Sequence, residues 1–315
     1  MSETVSRPSY GDVTAEYRAL VDGCAAVLGS RHLVWLTGAD AVGFLDGQVS
    51  QDIAGMEPGT VARSFLLEPR GKIVALMWVL RGDAEVGLII DSERTGAVVD
   101  ALERFRFRVD ATLGEAQPLV ELWGPETDAV LDRLGLDGVA GWGRIGEATV
   151  ARVPSRWPVV TLGGIDPALL DAAGVVRAGT IAASTVRIES GEPVSGVDID
   201  ETTIPQETGL VAEAVSFTKG CFLGQELVAR IDSRGRVVRQ LRGVVMTENL
   251  IPPVGATVEH QGVDSGRLTS VGESLRVGAP IAMALVRREV DPEASVRVTW
   301  DGGSAGAVVR SLPLV

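Results

Sequence analysis

The chain has 315 residues, 45% hydrophobic and 23% charged; this balance excludes a disordered chain, and at roughly 150 residues per domain it predicts two domains. A net charge of −13 with a pI near 4.7 repels polyanions and argues against general nucleic-acid binding. No apolar run approaches the ~18 residues of a membrane span, and Met1 to Pro8 lacks the basic start and apolar stretch of a secretory signal, so a cytoplasmic protein with no membrane partner is expected.

In chain order, Val13, Tyr17, Leu20, Val21, Cys24 and Val27 recur at helical spacing and predict a helix over 12–27, with Cys24 a packed small hydrophobe. A short strand over 32–36 leads into Thr37-Gly38-Ala39-Asp40, a helix-start signal, and then a helix through Phe44 and Leu45. Two β-rich runs, 61–67 and 73–80, are joined by Glu68-Pro69-Arg70-Gly71, which carries tight-turn residues. A strand over 86–90, a helix over 93–105 and a strand near Val109 follow. The order strand, helix, strand, strand, helix, strand is that of a ferredoxin-like α+β unit. Strand and helix signals alternate again from Trp123 to Ala183, with helices at 126–134 and 167–173, which predicts a second unit.

After Gly235 the pattern changes to short β-rich runs broken by Gly, Pro and Asp, at 241–246, 256–260, 266–271, 281–286, 296–299 and 307–312. Such runs suggest a small barrel. The expected fold is therefore α+β: ferredoxin-like α/β units over 1–236, divided near 115, followed by a β-barrel over 237–315.

Cys24 and Cys221 are far apart and form no disulfide framework; with only His32 and His260 besides, no clustered metal-ligand signature arises and no iron–sulfur cluster can be held by four cysteines. Lysine occurs only at positions 72 and 219 among 29 basic residues. Both lie beside a glycine, which points to places where a compact ammonium is needed rather than a planar guanidinium. In the segment Phe217 to Arg230, the second half reads as a helix with Leu223, Leu227 and Val228 on one face and Gln225 and Glu226 directed elsewhere. Cys221 would then sit near a helix N-terminus beside the Lys219 ammonium, and both features favour a thiolate. A buried, inert cysteine is the competing reading.

Lys219-Gly220-Cys221-Phe222-Leu223-Gly224-Gln225-Glu226 resembles the Lys-Gly-Cys-Tyr-x-Gly-Gln-Glu signature of YgfZ proteins, relatives in fold of the glycine-cleavage aminomethyltransferase. Arg187 to Pro193, Ile204 to Leu210, Phe44 to Asp52, Gly266 to Ser270 and Ala282 to Arg287 extend the resemblance, which runs from about Leu33 to the C-terminus. Phe222 stands where the family has tyrosine, so no phenolic hydroxyl is available there.

The resemblance implies a GcvT/YgfZ-like fold, a cavity for tetrahydrofolate or a one-carbon derivative, and a role in assembling or repairing iron–sulfur proteins, with iron–sulfur client or assembly proteins as partners. A reduced pterin offers adjacent N–H donors to a carboxylate, its aryl ring needs an apolar wall, and its glutamate tail needs cations. Glu207 is the first carboxylate choice, from its place in the Pro-x-Glu motif of related aminomethyltransferases, followed by Glu189, Asp198 and Glu201. Arg187, Lys219 and Arg230 are the candidate cations, with Lys72, Gln225 and Glu226 completing the expected binding set and Cys221 with Lys219 the expected catalytic pair. The aminomethyltransferase carries Gly-Gly-x-x-Asp-Asp after the hairpin turn, matched here by Arg70 to Ala75 with both aspartates replaced, by Val74 and Ala75. Losing such a group typically costs about 10²–10⁴ in rate, which disfavours glycine-cleavage chemistry unless Glu68 or Asp91 projects into the same cavity. A protein-binding scaffold is the non-enzymatic alternative.

Overall fold

The computed structural model describes residues 6–234 and 237–315. Asp12 caps the first helix, α1 (Val13–Asp22), by accepting from the Thr14 and Ala15 amides at 2.9 and 3.1 Å. The helix stops at Gly23, short of the expected Val27, because Ala25 to Leu28 form a continuous buried run that enters a strand. Periodicity alone does not separate such a run from a helix. That strand, β1 (Ala25–Thr37), is long and is followed by α2 (Ala41–Gln48). Next come the hairpin β2 (Val61–Leu67) and β3 (Ile73–Arg81), then β4 (Val86–Asp91), α3 (Thr95–Phe105), β5 (Thr112–Leu113) and β6 (Gln117–Trp123). Gly71, at φ +75°, closes the hairpin, with the Glu68 amide donating to the Lys72 carbonyl at 2.8 Å.

The chain continues through α4 (Thr127–Leu134), β7 (Trp142–Ile145), β8 (Ala148–Arg152), β9 (Val159–Gly163), α5 (Ala168–Ala172), β10 (Val176–Arg177) and α6 (Thr180–Ser190). All ten strands so far belong to one sheet, in the order β2-β3-β4-β1-β6-β9-β8-β7, with β5 and β10 also pairing with β1. The two expected α/β units are thus joined through the antiparallel pair of β1 and β6. The expected strand over 86–90 is β4, which runs antiparallel between β3 and β1. Burying side chains such as Val98 and Leu102 of α3 against the sheet is worth roughly 1.5–3 kcal/mol each.

Beyond a 3-10 turn (Pro205–Glu207), α7 (Val211–Ala214) and α8 (Gln225–Arg234) lead to the barrel. Its strands are β11 (Arg239–Met246), β12 (Thr257–His260), β13 (Val263–Ser274), β14 (Ala279–Arg287), β15 (Ser295–Trp300) and β16 (Gly303–Arg310), closed in the order β11-β14-β13-β12-β15-β16. Alternation directs Val244, Val258, Ala284, Val298 and Val309 into its core. Helix α6 packs against α1 on one side and against β13 and β14 on the other. The approach is close: a Cβ on Gly272 would stand 3.3 Å from Thr185 Cα. Among the described residues no helix is long and apolar enough to cross a membrane.

Candidate functional site

A cavity of about 300 Å³ opens where β1, β4 and β6 meet the first half of α6 and the 194–197 loop. Its position follows from a break in β1: the pairing with β6 shifts register between Leu28 and His32, and Gly29 adopts φ +65°. A bulge of this kind re-aims side chains, and here Ser30 and Arg31 line the cavity with Asp91 and Glu121. Arg31 Nε donates to Asp91 Oδ1 at 3.1 Å, and Arg31 Nη1 donates to Glu121 Oε1. Ser30 Oγ donates to Glu121 Oε2, and the Ser195 amide donates to Asp91 Oδ2 at 2.9 Å.

Glu121 is fully buried, and Arg31 and Asp91 are only 7% and 8% exposed, so one cation and two anions share a largely buried site. Burial works to lower the Arg31 pKa, but the facing Glu121 and Asp91 charges more than offset it and hold the guanidinium protonated. Its other face is covered by Trp78, with the guanidinium carbon 4.2 Å from the ring centroid. Val27, Trp123, Ala183 and Val197 supply apolar wall. The buried Trp123 Nε1 has no hydrogen-bond partner among the described residues. Such a mixture, mostly apolar with a few convergent polar groups, is how small-molecule sites are built.

Of the residues expected from sequence to bind a ligand, Arg187 lines this cavity. Its Nη1 donates to Asp198 Oδ2 at 2.6 Å and its Nη2 to Ser270 Oγ at 2.5 Å, so it also ties α6 to the barrel. Asp198 is engaged on all sides, accepting in addition from Val194 N, Thr269 Oγ1 and Ser270 Oγ. Glu189 is fully buried and accepts from Tyr17 Oη at 2.6 Å, from Ser274 Oγ and from Arg276 Nε at 3.0 Å. Glu207, the first choice, forms a two-pronged pair with Arg239 and accepts the Ile204 amide at 3.1 Å. These three carboxylates spend their acceptors on the protein because barrel or helix donors reach them first. Glu201 stands apart at a separate groove with Glu68, its Oε2 3.8 Å from Arg94 Nη1. Lys72 Nζ donates to the Thr202 carbonyl.

The Lys-Gly-Cys turn is also arranged differently from the expectation. Lys219 does not aim its ammonium at the thiol: Nζ donates to the carbonyls of Asp46, Val49 and Gln51 and lies 3.1 Å from Asp46 Oδ1, with its side chain 1% exposed. Burial lowers its pKa while Asp46 supports the charge. Cys221 is exposed. Phe222 packs with Phe65, Leu67, Ile73 and Val228, so its position is filled by an apolar contact. Gln225 is half-buried and Glu226 and Arg230 are exposed on α8.

Residues 239–315 match the family model of the glycine cleavage T-protein C-terminal barrel domain. A protein of Yersinia enterocolitica named "tRNA-modifying protein YgfZ" is 27% identical over 311 residues, covering 89% of each chain. The YgfZ protein of Pectobacterium atrosepticum is 33% identical over 133 residues, covering 41% of this chain and 40% of its own. An aminomethyltransferase of Streptomyces coelicolor is 27% identical over 287 residues, covering 80% of this chain and 75% of its own. The fold matches that of the glycine cleavage system aminomethyltransferase T from Bartonella henselae, with a TM-score of 0.87 at 23% identity over 96% of this chain and 89% of that one. The chain is thus YgfZ/GcvT-like in sequence and in fold.

In this YgfZ/GcvT-like chain the two hairpin positions at which the related aminomethyltransferase pattern has aspartates lie in different surroundings. Ala75 is fully buried in the sheet core, while Val74 lines the groove that also holds Glu68 and Glu201. Of the two substitutes considered from sequence, Glu68 shares the groove with Val74, while Asp91 lines the separate cavity beside Arg31. Sequence reasoning missed Arg31 and Glu121. Their signal was a charge inside an apolar strand, as in Leu119-Val120-Glu121-Leu122-Trp123, since a charge is rarely buried without a partner or a task.

Proposed function

We propose that this chain is a tetrahydrofolate-binding accessory protein that supports iron–sulfur cluster assembly or repair in client enzymes in the cytoplasm. The observation that carries the folate reading is the cavity holding the buried Glu121–Arg31–Asp91 cluster beside Trp123 and Val27. A reduced pterin suits it: the carboxylates offer acceptors for adjacent N–H donors and the apolar wall takes the rings. Asp91 and Glu121 would hold the heterocycle, Arg31 would keep both carboxylates aligned, and Arg187 would lie at the wall as a cation for the rest of the molecule. Bound folate would supply or accept a one-carbon unit. Glu201, Lys72, Gln225, Glu226 and Arg230 lie on the hairpin and α8 side and enter this reading as contacts to a client protein or to the ligand's tail.

The iron–sulfur role rests on the likeness to YgfZ proteins and on the exposed Cys221 in their signature. A link to tRNA modification, which the name of the Yersinia relative states, would reach this chain through a client enzyme, since its net charge of −13 disfavours direct RNA contact. Calorimetry with tetrahydrofolate and its one-carbon derivatives tests the folate reading. A Kd in the micromolar range, about −8 kcal/mol, is expected, and Glu121→Gln should weaken it about tenfold by removing a charged acceptor. No heat and an unchanged melting temperature at saturating ligand would refute it and favour a ligand-free scaffold. In cells lacking the protein, iron–sulfur enzyme activity should fall and be restored by the intact chain.

A further inference from the structure

We infer that Lys219 is a positioning residue that presents Cys221 by caging a cation, acting through geometry and not through its charge on the sulfur. The inference deepens the reading of Cys221 as the functional thiol and rests on it. Three observations carry it. The first is the oxygen cage: the Asp46, Val49 and Gln51 carbonyls and Asp46 Oδ1 converge on Nζ, which has three rotatable donors to place among them. A guanidinium presents its donors only in one plane and does not satisfy such a cage, which accounts for a lysine in a chain that uses arginine almost everywhere else.

The second observation is how the segment is fastened on both sides of the thiol. The Ser216 amide donates to the Ser50 carbonyl at 2.9 Å and the Lys219 amide to Ser216 Oγ at 3.3 Å. Beyond the thiol, Phe222 is buried and the Leu223 amide donates to the Gly47 carbonyl at 3.2 Å. Both anchors therefore lead to the same stretch, residues 46–51, at the end of α2. The third is that the two residues between the anchors are open: a Cβ on Gly220 would meet nothing within 4 Å, and Cys221 is exposed. Gly220 and Cys221 thus form an arch pinned at both feet, with the thiol at its crown. One foot is the Lys219 cage, and the ammonium is spent there.

The test is amide hydrogen exchange over residues 216–224 of the full-length protein, together with restoration of iron–sulfur enzyme activity in cells lacking it. Lys219→Ala should speed exchange in this segment by about tenfold or more while exchange in the barrel stays unchanged, and should fail to restore activity. Lys219→Arg, which keeps the charge, should fail in the same way. Added n-propylammonium, which refills the cage of Lys219→Ala, should slow exchange back toward the wild-type rate, and tetramethylammonium, which has no N–H, should not. Wild-type exchange in Lys219→Ala, or wild-type exchange and activity in Lys219→Arg, would overturn the inference. If Lys219→Ala does not accumulate folded, Asp46→Asn, which keeps the carbonyls and removes the carboxylate charge, is measured in the same way, and unchanged exchange there counts against it. Full restoration by Cys221→Ser would sink the functional thiol, whereas the exchange data would still decide whether Lys219 pins the arch.

Discussion

Glu207 and Arg239 meet in a two-pronged ion pair, Nε donating to Oε1 at 3.0 Å and Nη2 to Oε2 at 3.1 Å. The pair fastens the 3-10 turn at 205–207 to the first barrel strand. Glu189 reaches Arg276 and Ser274 of the barrel in the same manner, and Asp198 reaches Thr269 and Ser270. Three acidic residues that look like ligand contacts in the sequence thus tie α6, the loop at 198 and the 205–207 turn to the barrel.

Replacing Glu207 with alanine should act on stability. Arg239 is a third exposed, so water takes up part of its lost partner and the cost should be about 1–3 kcal/mol. Thermal melting should show the loss, and calorimetry should find the tetrahydrofolate Kd unchanged. A tenfold or larger rise in Kd with an unmoved melting temperature would instead make Glu207 a ligand contact.

Glu189→Ala should cost more. Its carboxylate is fully buried among Tyr17, Ser274 and Arg276, and removing one partner of a buried charged network typically costs about 3–5 kcal/mol. Urea unfolding of the two variants side by side checks the order; a smaller effect for Glu189→Ala than for Glu207→Ala would contradict it.

The protein should not form methylene-folate in a reconstituted glycine-cleavage assay. Ala75→Asp should not create the activity, because it would place a carboxylate in the fully buried core that α2 and α3 form with the sheet, at a cost of several kcal/mol. Val74→Asp, on the groove side, should be better tolerated and still inactive. Turnover within about tenfold of a genuine aminomethyltransferase, a gap of only 1.4 kcal/mol, would overturn the assignment.

The two cysteines should separate cleanly by reactivity. Burial pushes the Cys24 thiol from 9.0 up to about 11, with Thr127 opposing weakly, so at pH 8 only about one molecule in a thousand carries the thiolate. Iodoacetamide should modify Cys221 and spare Cys24 in the native protein. The fold favours the protonated Cys24, so its contribution is fully present below pH 9 and is lost as the pH rises toward 11. Tyr17, whose pKa burial and Glu189 also raise, adds a loss of the same sign. Alkaline unfolding monitored by circular dichroism should therefore begin above pH 9, and Cys24→Ala should flatten the slope by up to about 1.4 kcal/mol per pH unit.

Local chemistry carried a large share of the architecture. The β2–β3 hairpin was legible because Pro69 and Gly71 mark a turn between two apolar runs, and the barrel was legible as short β-rich runs between Gly, Pro and Asp breaks. The Lys-Gly-Cys segment was legible as a turn leading into a helix for the same reason: its signals lie within a few residues of one another. What the tertiary structure decided are relations between residues far apart. Arg31 finds Asp91 and Glu121 at separations of 60 and 90 residues, through a bulge that depends on how β1 pairs with β6. Whether Glu207 faces a ligand or an arginine depends on where β11 arrives, 32 residues later. A buried carboxylate takes the nearest donors that satisfy it, and which donors are nearest is a property of the packed chain, not of its neighbours in sequence.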